Sequence, residues 1–233
     1  MSELIDNTAK RRGLLKHLIL QLHEGKAPEE VKTQLTRLLG DVPYGDVVIV
    51  EQELIAEGLP QAEVLKLCDV HSAALKGNIS QDGAKTAPPG HPVHTFKQEN
   101  NALAAEIKLL ESLFKKLKEM KETEDAADIM LEIRVRFNDL QDVGKHYLRK
   151  ENLLFPYLEK RGITGPPAVM WGKHDEVREL LKAANEAFAN IGGIKAAEAA
   201  SLADFLLEPA IAAIDEMIFK EEQILFPMCM DTL

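Results

Sequence analysis

A helical phrase that occurs twice constrains this chain of 233 residues more than any other feature. The first copy is HYLRKENLLFPYLEK, which begins at His146, and the second is MIFKEEQILFPMCM, which begins at Met217. Both contain Glu-x-(Leu/Ile)-Leu-Phe-Pro, and superimposing the two Phe-Pro pairs places Lys150 opposite Glu221. Apolar residues recur at helical spacing in both copies. The repeat therefore predicts two equivalent helices that turn the same face towards one interior.

The rest of the sequence also has the hydrophobic periodicity of helices, and Val, Ile and Thr do not gather into alternating runs. We therefore predict an all-α chain. Pro209 is expected to kink the last helix or to mark its start, because proline removes a helical hydrogen bond. Short loops between long helices are typical of an up-down four-helix bundle. The four helices of this C-terminal bundle are predicted over 92–121, 124–160, 166–190 and 195–230.

The first part of the sequence predicts a small helical domain over 1–77. Gly and Pro punctuate this part in the way that separates short amphipathic helices. The following stretch, GNISQDGAKTAPPG, is polar, rich in Gly and Pro, and without apolar periodicity. We interpret 78–90 as a linker and 91–233 as the bundle, and we expect the first domain to be an interaction or signalling module. Its helices are predicted over 4–24, 27–39, 44–57 and 60–76.

Composition argues against several classes of partner. The formal net charge of −10 disfavours nucleic acid and anionic membrane surfaces, which both require clustered Lys and Arg. No apolar run approaches the roughly 18 residues of a membrane span. The N-terminus lacks the order of charges and the cleavage site of a signal peptide. Cys68 and Cys229 do not form a disulfide framework, so a reducing cytoplasm is the expected location.

Helical register identifies which polar side chains of the repeated phrase can face the interior, where bundles build metal sites. At about 100° per residue, Lys150 lies near His146 on one face, whereas Glu151 is turned away by about 140°. On the last helix, the same spacing places Glu221 near Met217 on one face and turns Glu222 away from it. Register alone therefore favours a solvent-exposed position for Glu151 and Glu222.

The second part of the sequence resembles the hemerythrin-like HHE cation-binding family over about 90–232. The paired Leu-Phe-Pro endings, His174 in PPAVMWGKHDEVREL and the histidines of GHPVHTFKQENNAL carry this resemblance. The first part resembles the small helical domain of unknown function that precedes such domains in many bacteria and archaea. The family implies a four-helix bundle that holds a non-haem di-iron centre with histidines and carboxylates. Its members bind dioxygen or nitric oxide, sense redox state, or handle iron and repair iron centres.

The resemblance gives eight candidate metal ligands, although Pro92 also makes His91 a candidate helix-cap residue. The candidates are His91, His94, Glu99, His146, Glu151, His174, Glu221 and Glu222.

Two residues depart from the His-x-x-x-Glu motif that the family has on its second and fourth helices. Lys150 stands in place of the glutamate on the second helix, and Met217 in place of the histidine on the fourth. A protonated lysine offers no lone pair to a metal, and a thioether is a poor ligand for a hard ferric ion. Lys150 and Glu221 occupy equivalent places and can pair as ions.

Three interpretations remain open from the sequence. The bundle holds an altered di-iron centre; or it holds one metal, or a haem with His146, His174 or Met217 as axial ligands; or it is a metal-free helical adaptor. An iron with an open position in a small two-domain protein suits sensing of a diatomic ligand better than enzymatic turnover. A weak zinc-type pair, Cys68 and His71, lies in the first domain.

Overall fold

The computed structural model describes residues 2–39, 42–60, 63, 74–189 and 191–233, and the side chains of all of these except 2–6 and 28. Most of the described residues are helical, which confirms the all-α prediction. Most of the predicted helix over 60–76, together with Cys68 and His71, lies outside the described residues.

The helices of the described chain follow the predicted order, but shorter helices make up two of the four predicted for the bundle. They are α1 (Ser2–His23), α2 (Pro28–Leu39), α3 (Tyr44–Ala56), α4 (Pro92–Glu119), α5 (Ala127–Leu140), α6 (Val143–Arg149), α7 (Phe155–Lys160), α8 (Gly165–Phe188), α9 (Ala196–Leu202), α10 (Glu208–Lys220) and α11 (Phe226–Thr232).

Three π-helical segments join consecutive α-helices: π1 (Lys150–Leu154), π2 (Ala203–Leu207) and π3 (Glu221–Leu225). Segments π1 and π3 fall on the two copies of the repeated phrase. A π turn closes hydrogen bonds between residues i and i+5, so it contains one residue more than an α turn, and such turns are frequent at functional sites. Pro209 is the second residue of α10, directly after π2, which confirms that it marks a helix start.

One compact unit of the chain comprises Met1–Ala87, Phe155–Gly172 and Phe219–Leu233. Its apolar core is built largely from α1, α2 and α3, with Leu15, Leu18 and Val47 almost fully excluded from solvent. Two short strands, β1 (Val42–Pro43) and β2 (Ile79–Ser80), pair in parallel within this unit, so the predicted linker contains one strand. The domain boundaries that the sequence predicts, 1–77, 78–90 and 91–233, describe segments that would fold independently, and they stay a prediction.

Within this unit, the segment after α3 contacts the end of the last bundle helix. The Lys76 ammonium lies 5.4 Å from the centre of the Phe219 ring. The side-chain amide of Gln81 donates a hydrogen bond to the Gln223 carbonyl oxygen at 2.8 Å. Ile224 packs against the core formed by α1, α2 and α3. Polar, cation–π and apolar contacts thus hold the π3 region against the N-terminal part of the chain.

The other compact unit comprises Pro88–Leu154 and Lys173–Ile218. Helix α4 begins after His91, whose Nδ1 accepts a hydrogen bond from the Val93 backbone N–H at 3.1 Å, so His91 is a helix cap as expected. The rings of Phe137 on α5 and Phe188 on α8 meet edge to face at 5.3 Å between centroids. Aromatic packing of this kind fixes α5 and α8 against each other.

Glu51 on α3 provides a pH test of the first unit. Burial raises the pKa of Glu51 from 4.5 to about 7, and the nearby charge of Lys220 only partly opposes the shift. The folded state therefore favours the protonated carboxyl of Glu51. The stability that this protonated carboxyl contributes is complete below pH 4.5 and is lost as the pH rises through about 7. We expect Glu51→Gln to be more stable than the wild type at pH 8, by up to about 3 kcal/mol.

Chemical denaturation of both proteins between pH 4.5 and 8 measures this difference. Glu53→Gln is the matched control, because Glu53 is exposed on the same helix and its closest cation, Lys16, is 3.9 Å away. Parallel stability profiles for the wild type and Glu51→Gln would contradict the assignment.

Candidate cation site

Two histidines, His146 on α6 and His174 on α8, are buried in the second compact unit. His174 is fully excluded from solvent, and His146 is 2% exposed. The pKa of His146 is lowered partly by His174, so the two imidazoles are electrostatic neighbours. They lie on the helices on which the sequence predicted interior histidines.

His146 belongs to a chain of polar contacts that reaches the surface. Its Nδ1 lies 2.7 Å from Oε2 of Glu99 on α4, and the other oxygen of this carboxylate lies 2.7 Å from Arg149. The edge of the Phe96 ring meets the imidazole at 5.4 Å between centroids. Since the Arg149 side chain is 42% exposed, the Arg149–Glu99–His146 relay runs from solvent to the buried imidazole.

His174 has a second relay of the same composition. Its Nδ1 lies 2.7 Å from Oε1 of Glu151, and Arg178 donates to both oxygens of that carboxylate at 2.7 and 2.8 Å. Burial raises the pKa of Glu151, but the hydrogen bonds from His174 and Arg178 outweigh it and hold the pKa below its usual value. The buried carboxylate is therefore ionised and acts only as an acceptor.

The two relays fix the chemical form of both imidazoles. A carboxylate held by an arginine accepts a hydrogen bond, so Nδ1 of each histidine carries the proton and Nε2 carries the lone pair. Burial is the main cause that lowers the pKa of His146 to about 2 and that of His174 to about 3. Both rings are neutral at physiological pH, which is the form that binds metals, and a carboxylate on the second ring nitrogen is typical of metal-binding histidines.

Lys150 and Tyr147 complete this buried cluster. Lys150 is fully buried, and its ammonium lies 4.6 Å from the centre of the Tyr147 ring. That ring stacks on His174 at 3.9 Å with an interplanar angle of 12°. Burial lowers the pKa of Lys150 well below its usual value, although Glu151 and Glu99 oppose the shift. The buried hydroxyl of Tyr147 has no hydrogen-bond partner among the described residues.

Each relay ends beside a surface pocket. A pocket of about 320 Å³ is lined by Glu99, His146 and Arg149, together with part of α5. A second pocket, of about 340 Å³, is lined by Arg178 and by Gly144 on α6. The first pocket gives solvent and small solutes a route to the His146 relay.

The exposed position expected for Glu151 is wrong. Glu151 is 2% exposed and contacts His174, whereas Lys150 is buried on the interior face as predicted. The cause is π1, which begins at Lys150 and adds one residue to the turn. The uniform 100° register that turned Glu151 away from His146 therefore does not apply in this segment.

Four of the eight candidate ligands, namely Glu99, His146, Glu151 and His174, lie together in the second compact unit. His94 is half-buried in the first turn of α4, where His91 is the cap. The roles of the other candidates, and the Lys150–Glu221 pair, stay predictions. On the last bundle helix, Met217 is buried. Glu221, in π3, is fully buried, and Glu222 is half-buried.

The donor set does not fit a di-iron centre. Di-iron bundles use roughly six inward carboxylates and histidines, whereas Glu99 and Glu151 here are hydrogen-bonded to histidines and arginines. Within the described part of the chain, no group of three or more His, Cys, Asp or Glu side chains is placed to hold a metal. Each of the two neutral imidazoles, with a carboxylate on Nδ1, has the chemical form of a metal-binding histidine.

The sequence interpretation missed the two arginines that fix the carboxylates. Arg149 follows His146 by three residues, and Arg178 follows His174 by four. Residues at these spacings share one face of a helix. A search for His-x-x-Arg and His-x-x-x-Arg on the predicted helices could have found them.

Comparison with known families agrees with both halves of the chain. A family described as "Hemerythrin HHE cation binding domain" matches residues 91–229. A family of unknown function, DUF438, matches residues 15–81. No curated protein matches the chain. Among the described residues, no helix is long and apolar enough to cross a membrane.

Removal of the Glu151 carboxylate should destabilise the second unit. Glu151→Gln takes the negative charge from a buried cluster and leaves Arg178 and the Nδ1–H of His174 without their anion. Breaking a buried pair on one side costs about 3–5 kcal/mol, and we expect a loss of that order in urea denaturation. Glu106→Gln is the control, because its partly exposed pair with Arg136 spans 3.4 Å and should contribute about 0–1 kcal/mol. Equal effects of the two substitutions would contradict the relay.

Proposed function

The chain belongs to the hemerythrin HHE cation-binding family, and from that premise we propose that its bundle binds iron through Nε2 of His146 and His174. The observation that carries this proposal is the pair of relays, Arg149–Glu99–His146 and Arg178–Glu151–His174. Each relay holds one imidazole neutral, in one tautomer and in one orientation. Partners of this kind usually affect metal affinity by about 10–100-fold.

The residues of the cluster have separate roles in this proposal. His146 and His174 hold the cation, and Glu99 and Glu151 orient them through Nδ1. The stacked ring of Tyr147 packs against His174 and helps to exclude water. Iron bound there supplies open coordination positions for a diatomic ligand such as dioxygen or nitric oxide, and a change of oxidation state.

We propose that the protein senses such a ligand, or redox state, instead of turning over a substrate. Helix α10 continues directly into π3, and π3 is held by Gln81 and by the apolar core of the first unit. These contacts support a role of the N-terminal helices as the signalling module that responds to a displacement of this helix. The proposal locates the protein in the cytoplasm, in keeping with its net charge and the free thiol of Cys229.

The first test is iron content and optical spectrum after purification without added metal. We expect the wild type to retain iron and to show no Soret band, since the iron is held without a porphyrin. His146→Gln and His174→Gln should each lose most of the iron, because each removes one of two imidazole ligands. His17→Gln is the matched control, because His17 is exposed on α1.

Absence of iron, even after anaerobic reconstitution with Fe(II), would contradict the proposal and leave the metal-free adaptor. A Soret band lost with either histidine would replace it with the haem alternative, in which Met217 is a further candidate ligand. Equal iron loss in His17→Gln would point to non-specific binding.

Hydrogen exchange followed by mass spectrometry tests the signalling role. Oxidation of the iron-loaded protein, or addition of nitric oxide, should change amide protection in peptides from π3 and α11 and from β2 to Lys85. Gln81 contacts Gln223 in π3, and Lys85 contacts Met230 in α11. Peptides from α2 serve as the internal control. A change confined to the second unit would contradict transmission to the N-terminal helices.

A further inference from the structure

The least expected residue of the buried cluster is Lys150, to which the proposed function gives no role. The Lys150 side chain has no exposed surface, although lysine is among the residues that are least often buried. It begins π1 and is followed directly by the buried carboxylate of Glu151. The amine therefore belongs to the buried polar cluster and is a candidate for a specific role there.

Lys150 interacts with groups of both relays. It affects the pKa of His146 and of His174, and Glu99 and Glu151 in turn affect its own. Its Nζ also lies 4.6 Å from the centre of the Tyr147 ring, where the π electrons attract a cation. The amine is thus placed between two histidine–carboxylate pairs, as a bridging cation would be.

We propose that Lys150 takes the place of a second metal ion, so that the bundle is a one-metal site by construction. This inference rests on the proposed function, because it assumes that the two imidazoles hold one iron. Glu99 and Glu151, the two carboxylates that interact with this amine, are each held by a histidine and an arginine, so a further carboxylate is what a second metal position lacks. A lysine amine fills that position and offers N–H donors, whereas a carboxylate in the same place would offer oxygen ligands to a metal.

A one-metal site differs chemically from a two-metal site. Two adjacent metals clamp both reacting oxygens of a substrate, whereas a single iron held by His146 and His174 would offer its open positions to one small ligand. An N–H of Lys150 lies in the same interior and can donate a hydrogen bond to an anionic ligand. The substitution therefore favours reversible binding of a small ligand over two-metal chemistry.

The test compares iron stoichiometry in three proteins, each reconstituted anaerobically with Fe(II) and freed of excess metal. Lys150→Glu supplies a carboxylate at the same place, and Lys150→Met is the matched control of similar length without charge or oxygen. We expect about one iron per chain for the wild type and Lys150→Met, and about two for Lys150→Glu. Thermal unfolding with and without Fe(II) gives a second readout, with the largest rise in midpoint for Lys150→Glu because the added buried carboxylate then depends on metal.

The outcomes separate this inference from the proposed function. Two irons in the wild type, or no gain in a folded Lys150→Glu, would overturn the role of Lys150 while leaving iron binding intact. No iron in the wild type and none in Lys150→Glu would overturn both. Circular dichroism establishes folding, and a Lys150→Glu protein that unfolds without Fe(II) and refolds with it would support the inference directly.

Discussion

The hydrogen bond between Nδ1 of His174 and the buried carboxylate of Glu151 is the interaction on which the described interior depends. An ionised carboxylate without partners would be costly at this depth, and Arg178 makes it tolerable by donating to both of its oxygens. The same arrangement recurs with Arg149, Glu99 and His146. Burial alone would only lower the pKa of each histidine. The two relays in addition fix the tautomer and the orientation of both imidazoles.

The π-helical segments explain how these side chains reach the interior. In an uninterrupted α-helix, Glu151 would lie about 140° from His146 and would be turned away from the face of that histidine. Segment π1 widens one turn and lets Lys150 join the cluster while Glu151 contacts His174. Segment π3 lies on the second copy of the same phrase, where Glu221 is fully buried. The doubled Leu-Phe-Pro phrase thus marks two places where the regular helix is interrupted.

Much of the fold followed from periodicity, because α4, α5 and α8 have regular apolar stripes, and Pro209 and the glycines mark helix ends. The inward positions of His146 and Lys150 followed from the same register. Glu151 did not, since no local signal in the residues distinguishes a π turn from an α turn. Arg149 and Arg178 were overlooked because arginines on a helix surface usually face solvent, and only the positions of Glu99 and Glu151 give them partners. Arginine–carboxylate pairs between residues far apart in the sequence cannot be identified from the spacing of residues along one helix.

The most direct test of the central claim is long-range ¹H–¹⁵N NMR of the histidine rings in metal-free protein, with assignments from His146→Gln and His174→Gln. Both rings should be neutral with the proton on Nδ1, and neither should titrate between pH 8 and 5, because the pKa of each lies far below this range. Protonation at Nε2, or titration of either ring at its ordinary pKa of about 6.5, would contradict the relays and the cation site built on them.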